Sequence, residues 1–132
     1  MSCAAVLSNY LINKQLLVLT NQGTFSSPAT VYLALYISNP NPDNSGTEVS
    51  GTAYVRQAVT WSSVGTGTTT SNSTNVTFPQ AGSNWGTISY LALFDASTSG
   101  NLLMFAPATT SIPVNTGNIY QVNSGLLTMS MQ

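Results

Sequence analysis

From Pro28 onward the chain is a succession of short runs rich in Val, Ile, Tyr, Phe and Thr, each bounded by clusters of Gly, Pro, Asn and Ser. Runs of β-branched and aromatic residues between turn formers read as strands. Residues 30–38, 53–62, 73–78, 86–94, 101–106, 109–114, 118–122 and 126–131 qualify, giving seven or eight strands in one chain. Turn signals roughly every dozen residues suit a mainly β fold, a jelly-roll-like or Greek-key β-sandwich. The alternation within runs adds detail. Between Val31 and Ile37 one face presents Val31, Leu33, Leu35 and Ile37 and the other Tyr32, Ala34 and Tyr36. A strand apolar on both faces is expected at the centre of a sheet covered on both sides. Residues 86–94 repeat the pattern, whereas the last run sets Leu127, Met129 and Met131 against Leu126, Thr128 and Ser130 and reads as half buried.

One helix precedes the strands. Residues 3 to about 20 place Leu7, Leu11 and Val18 on one face, with Ser2 as the expected cap and Gly23 as the stop. Lys14 falls near that apolar stripe and must extend its ammonium past it to water. The expected organisation is a single domain over 1–132, with the helix in 1–22 and a β-sandwich in 28–132. Two loops stand out. Residues 39–46, NPNPDNSG, are rich in turn formers, and residues 64–75, VGTGTTTSNSTN, are read as an exposed hairpin tip with no side chain to anchor it.

Charge is the other constraint. Two cations and three carboxylates make 4 % charged residues with a net charge of -1, against about 25 % in ordinary soluble domains. Such a surface has little colloidal protection, so much of it is expected to be covered by copies of the chain or by a partner. Lys14 and Arg56 cannot form a phosphate-neutralising stripe, which argues against nucleic acid, and they cannot form a polybasic membrane anchor. Cys3 is a lone cysteine, read as a small apolar residue with no disulfide partner. The apolar stretches near the start are interrupted by Asn9, Asn13, Lys14 and Gln15, so neither an export signal nor a spanning helix is expected. The chain reads as soluble and made in the cytoplasm. The glycosylation patterns at Asn72 and Asn75 then carry little meaning.

With no histidine and one cysteine, the inventory for acid–base, nucleophilic and metal chemistry is nearly empty. The chain is expected not to be an enzyme and to hold no metal or cofactor; calcium in residues 39–48 is the least implausible ion, but the ligand order fits no standard calcium loop. Asp43, Glu48 and Asp95 could in principle supply a glycosidase carboxylate pair. Asp43, however, sits among turn formers and Asp95 ends a strand. Arg56 lies on a strand face with Tyr54, Ala58 and Thr60 and needs a carboxylate mate there. Glu48, Asp95 or Asp43 is the expected partner, and the Glu48/Arg56 pair is read as a clamp for the fold or for an interface.

Residues 46–61, GTEVSGTAYVRQAVTW, and residues 84–105, NWGTISYLALFDASTSGNLLMF, together resemble a family of small tailed-bacteriophage virion proteins labelled tail-fibre-like, minor tail or head decoration proteins. The likeness extends to ATVYLALYISNPNP at 29–42, NVTFPQA at 75–81 and the N-terminal helix. The low charge and the uncharged 64–75 loop depart from the family's pattern. The resemblance implies a structural protein made in the host cytoplasm and built into the virion. Its partners would be the major capsid protein or other virion proteins, with a homo-oligomer, a trimer at a three-fold site, as the natural state. A compact domain without a long shaft favours a capsid decoration (cement) protein; a tail or tail-fibre-like component is the alternative. A third reading, from another class, is a carbohydrate-binding module stacking sugars on Trp61 or Trp85. Candidate interface anchors are Tyr10, Tyr32, Tyr36, Trp61, Trp85 and Met104, since interface cores favour aromatic residues and Met.

Overall fold

The structure is a computed structural model and describes residues 5–131. It is mainly β with one helix near the N-terminus: β1 (Val6–Leu7), α1 (Asn9–Leu19), β2 (Val31–Tyr36), β3 (Gln57–Val59), β4 (Thr69–Ser71), β5 (Val76–Thr77), β6 (Gly86–Phe94), β7 (Leu102–Val114), β8 (Gln121–Val122) and β9 (Thr128–Ser130). β1, β7, β6, β2 and β3, in that order, form a five-stranded antiparallel sheet. β4 pairs β9 and β5 pairs β8 in two separate antiparallel ribbons.

β2 and β6 lie in the middle of the sheet, as their two-sided apolar pattern requires. One face carries Leu33, Leu35, Leu91, Leu93 and Met104, which pack with Phe78, Trp85, Tyr120, Val122 and Leu127 from the ribbons and their loops. The other face carries Ala34, Tyr36, Ala92, Phe94, Leu102 and Phe105 in a second buried cluster. Side chains such as Phe78 and Phe94, almost wholly removed from water, each contribute about 1.5–3 kcal/mol of transfer free energy. The layer facing the larger cluster is thus divided between two ribbons.

The helix starts later than its periodicity predicts. Ser2 and Cys3 lie outside the described residues, and Leu7 belongs to β1, paired with Met104 at the sheet edge. The cap is Ser8, whose Oγ accepts from Leu11 N at 3.1 Å and donates to the Leu102 carbonyl. The capping serine therefore also fastens the helix to β7. At the other end Asn21, not Gly23, takes the left-handed conformation with φ 57°. Gln22 N–H reaches Leu17 O at 2.8 Å and Asn21 N–H reaches Val18 O at 3.2 Å, the reciprocal bonds of a Schellman cap. Leu11 is buried, but Val18 is not, so the predicted Leu7–Leu11–Val18 face does not exist as one stripe. Lys14 places its ammonium 5.6 Å from the Tyr10 ring centroid, an attraction its charge gains from the ring face.

Three strand expectations change. The run 53–62 forms pairing only over Gln57–Val59, plus a bridge from Trp61 to Asn72, because Ala53 turns the chain with φ 70°. The runs 101–106 and 109–114 fuse into β7, which continues past Pro107 and Pro113 through a register shift opposite Ser89. Beyond Phe105 no strand pairs with its outer side among the described residues, and such an edge tolerates proline. Finally, the 64–75 loop does contain an anchor. Thr69–Ser71 forms β4, and the Asn72 side chain is fully buried, donating to Thr74 O at 2.8 Å and Asn123 O at 3.1 Å while accepting from Leu127 N at 2.9 Å. Buried in this way, Asn72 presents no amide for glycosylation.

Candidate functional site

Two of the five charged side chains, Glu48 and Arg56, meet beside the second cluster. β2 ends at Tyr36, which bridges to Glu48 after the chain loops through 39–47 and returns. That loop is held by its own polar groups: Asn41 N bonds Asn39 Oδ1 at 2.9 Å, Ser45 N bonds Asp43 Oδ1 at 3.1 Å, and Gly46 N bonds Pro40 O at 3.1 Å. At Gly46 a Cβ would collide with the Asn39 carbonyl oxygen, so only glycine lets the loop close. Tyr54 and Arg56 then approach Glu48 from the segment before β3.

Arg56 meets Glu48 as a two-pronged fork, Nε to Oε1 and Nη2 to Oε2, both at 2.8 Å. Its Nη1 donates to Ala96 O at 3.0 Å and Ser99 O at 2.7 Å. The guanidinium carbon lies 3.7 Å from the Phe94 ring centroid. Tyr54 OH donates to Glu48 Oε1 at 2.8 Å and accepts from Leu35 N at 3.0 Å. Tyr36 stacks on Phe94 and donates to Asn44 Oδ1 at 2.7 Å. One ion pair therefore ties β2, the 39–48 loop, the 54–56 segment and the 95–101 loop together. The side chains are 8 % and 24 % exposed for Arg56 and Glu48, where the dielectric is low enough for charge-assisted bonds to count.

The electrostatics follow. Burial lifts the Tyr54 phenol far above its ordinary value, the nearby Glu48 charge adding to the effect against the Leu35 N–H. Burial and the same carboxylate push Tyr36 up to about 12. For Arg56, burial disfavours the cation, but the hydrogen bonds and charge of Glu48 outweigh it and hold the group above its ordinary value. Both phenols are thus fixed as neutral donors. The other two carboxylates are engaged as turn acceptors: Asp95 takes Asn101 N at 2.7 Å and Nδ2 at 2.9 Å, and Asp43 takes Ser45 N. Among the described residues no group of three or more His, Cys, Asp and Glu could hold a metal, no helix is long and apolar enough to cross a membrane, and no buried side-chain N or O lacks a partner.

Glu48 and Arg56 come together within one subunit, and Glu48 is the mate chosen from the three carboxylates. Tyr54 completes the cluster; its shared face with Arg56, two residues apart, was the sequence signal for it. The candidate anchors separate into two groups. Tyr36, Trp85 and Met104 are buried within their own subunit and offer no area to a neighbour; Trp85 spends its Nε1–H on Thr52 O at 3.0 Å and packs edge-on to Tyr54. Tyr10, Tyr32 and Trp61 are half buried, Tyr10 meeting Phe25 edge-on. Trp85 is therefore closed to sugar stacking.

Apolar surface lies elsewhere. Ile12, Leu16 and Leu19 project from α1, and an open groove runs along the outer half of β7. A family model described as Podophage GP4 fiber I protein gp80 matches residues 6–130, a span that takes in every strand and the helix. No curated protein matches the chain. The match covers nearly the whole length, and the chain belongs to the Podophage GP4 fiber I protein gp80 family of tailed-phage virion proteins.

Proposed function

We propose that this protein is a non-enzymatic structural subunit of the podophage tail, a fibre or fibre-attachment component that acts by binding other virion proteins. The observation that carries this reading is the fibre-protein family match over residues 6–130. The side-chain chemistry supports the non-enzymatic part. Glu48 is held by Arg56 and Tyr54, Asp95 accepts from Asn101, and Asp43 accepts from Ser45 N, so each carboxylate has a structural task. The absence of competing charge on the exposed apolar residues supports binding to uncharged protein surface, since interface cores exclude charge.

The competing placement is a cement protein on the major capsid protein shell, which would stabilise the closed lattice by binding only that lattice. Heads and tails of purified particles, separated and probed for this chain, distinguish the two. Recovery with the tails, together with density for the fold at the tail by electron cryomicroscopy, is the expected result. Recovery with tail-free heads at capsid stoichiometry would replace the fibre reading with the cement one. A glycan-array signal lost on Trp61→Ala would instead favour a carbohydrate-binding module.

A further inference from the structure

The chain carries two apolar surfaces of opposite shape. α1 turns Tyr10, Leu11 and Leu17 towards the body, where Leu11 is buried. Its outer side presents Ile12, Leu16 and Leu19, which are 41 %, 55 % and 81 % exposed. The spacing i, i+4, i+7 aligns them as one ridge. The second surface is an open groove of about 420 Å³ between the outer half of β7 and the β8 ribbon, walled by Leu91, Ala108, Ile112, Tyr120 and Val122 with Thr110 at its rim. β1 pairs only with Met104 and Phe105, so beyond Phe105 β7 is paired with β6 on one side and has no strand on its outer side among the described residues. Ridge and groove sit at opposite halves of β7: Ser8, at the foot of α1, bonds the Leu102 and Leu103 carbonyls, while the groove begins at Ala108.

Neither surface presents charge. Lys14, the only charged residue of α1, lies over Tyr10, and the remaining four charged side chains are engaged in the clamp and in turns. A partner for the ridge must therefore be a neutral apolar concavity, and a partner for the groove a neutral apolar ridge; this chain offers both. Coverage of the two surfaces decides the arrangement. The ridge exposes on the order of 400 Å² of apolar surface, about half of the roughly 800 Å² per partner that a stable interface needs. Two helices packed face to face would use the ridge once and leave the groove open. In a head-to-tail arrangement each copy engages through both surfaces, so neither apolar surface stays open to water.

We propose that α1 of one copy seats its Ile12–Leu16–Leu19 ridge in the β7/β8 groove of the next copy, a helix-in-groove contact between copies of this chain. Such a heterologous contact closes into a ring where its rotation permits and otherwise extends as a filament. The proposal is independent of whether the protein sits on the tail or the head, so the localisation experiment can fail without touching it.

The test uses the purified full chain, with mass measured by light scattering across a dilution series. The wild type is expected to be oligomeric at high concentration, and Leu19→Asp and Thr110→Asp are each expected to be monomeric with unchanged circular dichroism, because both sites are exposed. Mixing Leu19→Lys with Thr110→Asp is expected to recover assembly, since the new charges meet across the contact. In a Cys3→Ser background, Leu19→Cys and Thr110→Cys proteins should cross-link when mixed and neither should cross-link alone. A wild-type chain that stays monomeric throughout would overturn the proposal. So would self-cross-linking of Leu19→Cys, which would mean a symmetric helix pair, or assembly that survives both aspartate variants.

Discussion

Arg56 and Asn72 each fasten loops to the core, one as a charged fork and the other as a neutral amide. Arg56 spends four hydrogen bonds on Glu48, Ala96 and Ser99 and rests on Phe94. Asn72 spends three, on Thr74, Asn123 and Leu127, and so joins the turn after β4 to the turn before β9. Neither leaves a buried side-chain nitrogen or oxygen without a partner. They differ in what is left behind when one member is removed: a carboxylate with 24 % exposure in the first case, neutral backbone groups in the second. A buried ion pair adds little net stability over apolar residues of the same shape, but a broken one is costly. The clamp thus enforces one arrangement of the 39–48 and 95–101 loops more than it raises stability, whereas the amide supplies an ordinary increment in the ribbon layer.

The largest effect should come from breaking the charged anchor. Arg56→Met keeps some apolar contact with Phe94 but strands Glu48, and should cost about 3–5 kcal/mol. Urea unfolding would show a lower midpoint with unchanged slope. A loss below about 1 kcal/mol would mean that the pair behaves like an exposed surface bridge. Next comes the neutral anchor. Asn72→Ala removes the side-chain partner of Leu127 N–H and Thr74 O, while Asn123 O keeps Leu126 N–H, and should cost about 1–3 kcal/mol. Hydrogen exchange should localise the loss to β4 and β9, leaving the amides of β2 and β6 protected; uniform loss of protection would remove the distinction between the two anchors.

The same comparison explains what the sequence could reveal. Arg56 is one of two cations and Glu48 one of three carboxylates, so their pairing could be expected from scarcity and from the cost of an unpaired charge. Asn72 sits among many Asn, Ser and Thr, and nothing in VGTGTTTSNSTN separates the buried amide from its exposed neighbours. β2 and β6 were legible because alternation is a local signal. The division of the facing layer into two ribbons was not, since β4–β9 and β5–β8 pair residues some 45 to 60 positions apart. Nor was the start of α1: Val6 and Leu7 fit a helical stripe as well as an edge strand, and only pairing with Phe105 and Met104 decides. Tyr36, Trp85 and Met104 illustrate a further gap, because composition cannot tell a core aromatic or methionine from an interface anchor.

Smaller effects sharpen the contrast inside the clamp. Tyr54→Phe keeps the ring against Phe78 and Trp85 but removes the hydroxyl between Leu35 N–H and Glu48, and should cost about 1–1.5 kcal/mol. No loss at all would mean that water replaces the hydroxyl. The pH response should be silent at neutrality. Because the folded pKa of Tyr36 is raised from 10.0 to about 12, the unfolded chain gives up this proton first. The folded chain therefore keeps this contribution below pH 10 and loses it as pH rises towards 12. Tyr54 and Tyr120, raised by burial, act in the same direction. Denaturant midpoints followed from pH 9 upward should fall in the wild type and fall less in Tyr36→Phe; parallel decline in both proteins would assign the alkaline loss to other groups.

The smallest expected number is a coupling. Arg56 and Asn72 share no hydrogen-bond partner: the first reaches Glu48, Ala96 and Ser99, the second Thr74, Asn123 and Leu127. They also serve different sides of the molecule, since Phe94 beneath Arg56 belongs to one buried cluster and Leu127 beside Asn72 to the other. Substitutions without shared partners add to within about 0.3–0.5 kcal/mol. The Arg56→Met/Asn72→Ala double variant should therefore lose the sum of the two single losses. A coupling above about 1 kcal/mol would mean that the central sheet transmits strain from one covered face to the other. In that case the two anchors would be parts of one cooperative device, and the contrast drawn between them would reduce to a difference in chemistry alone.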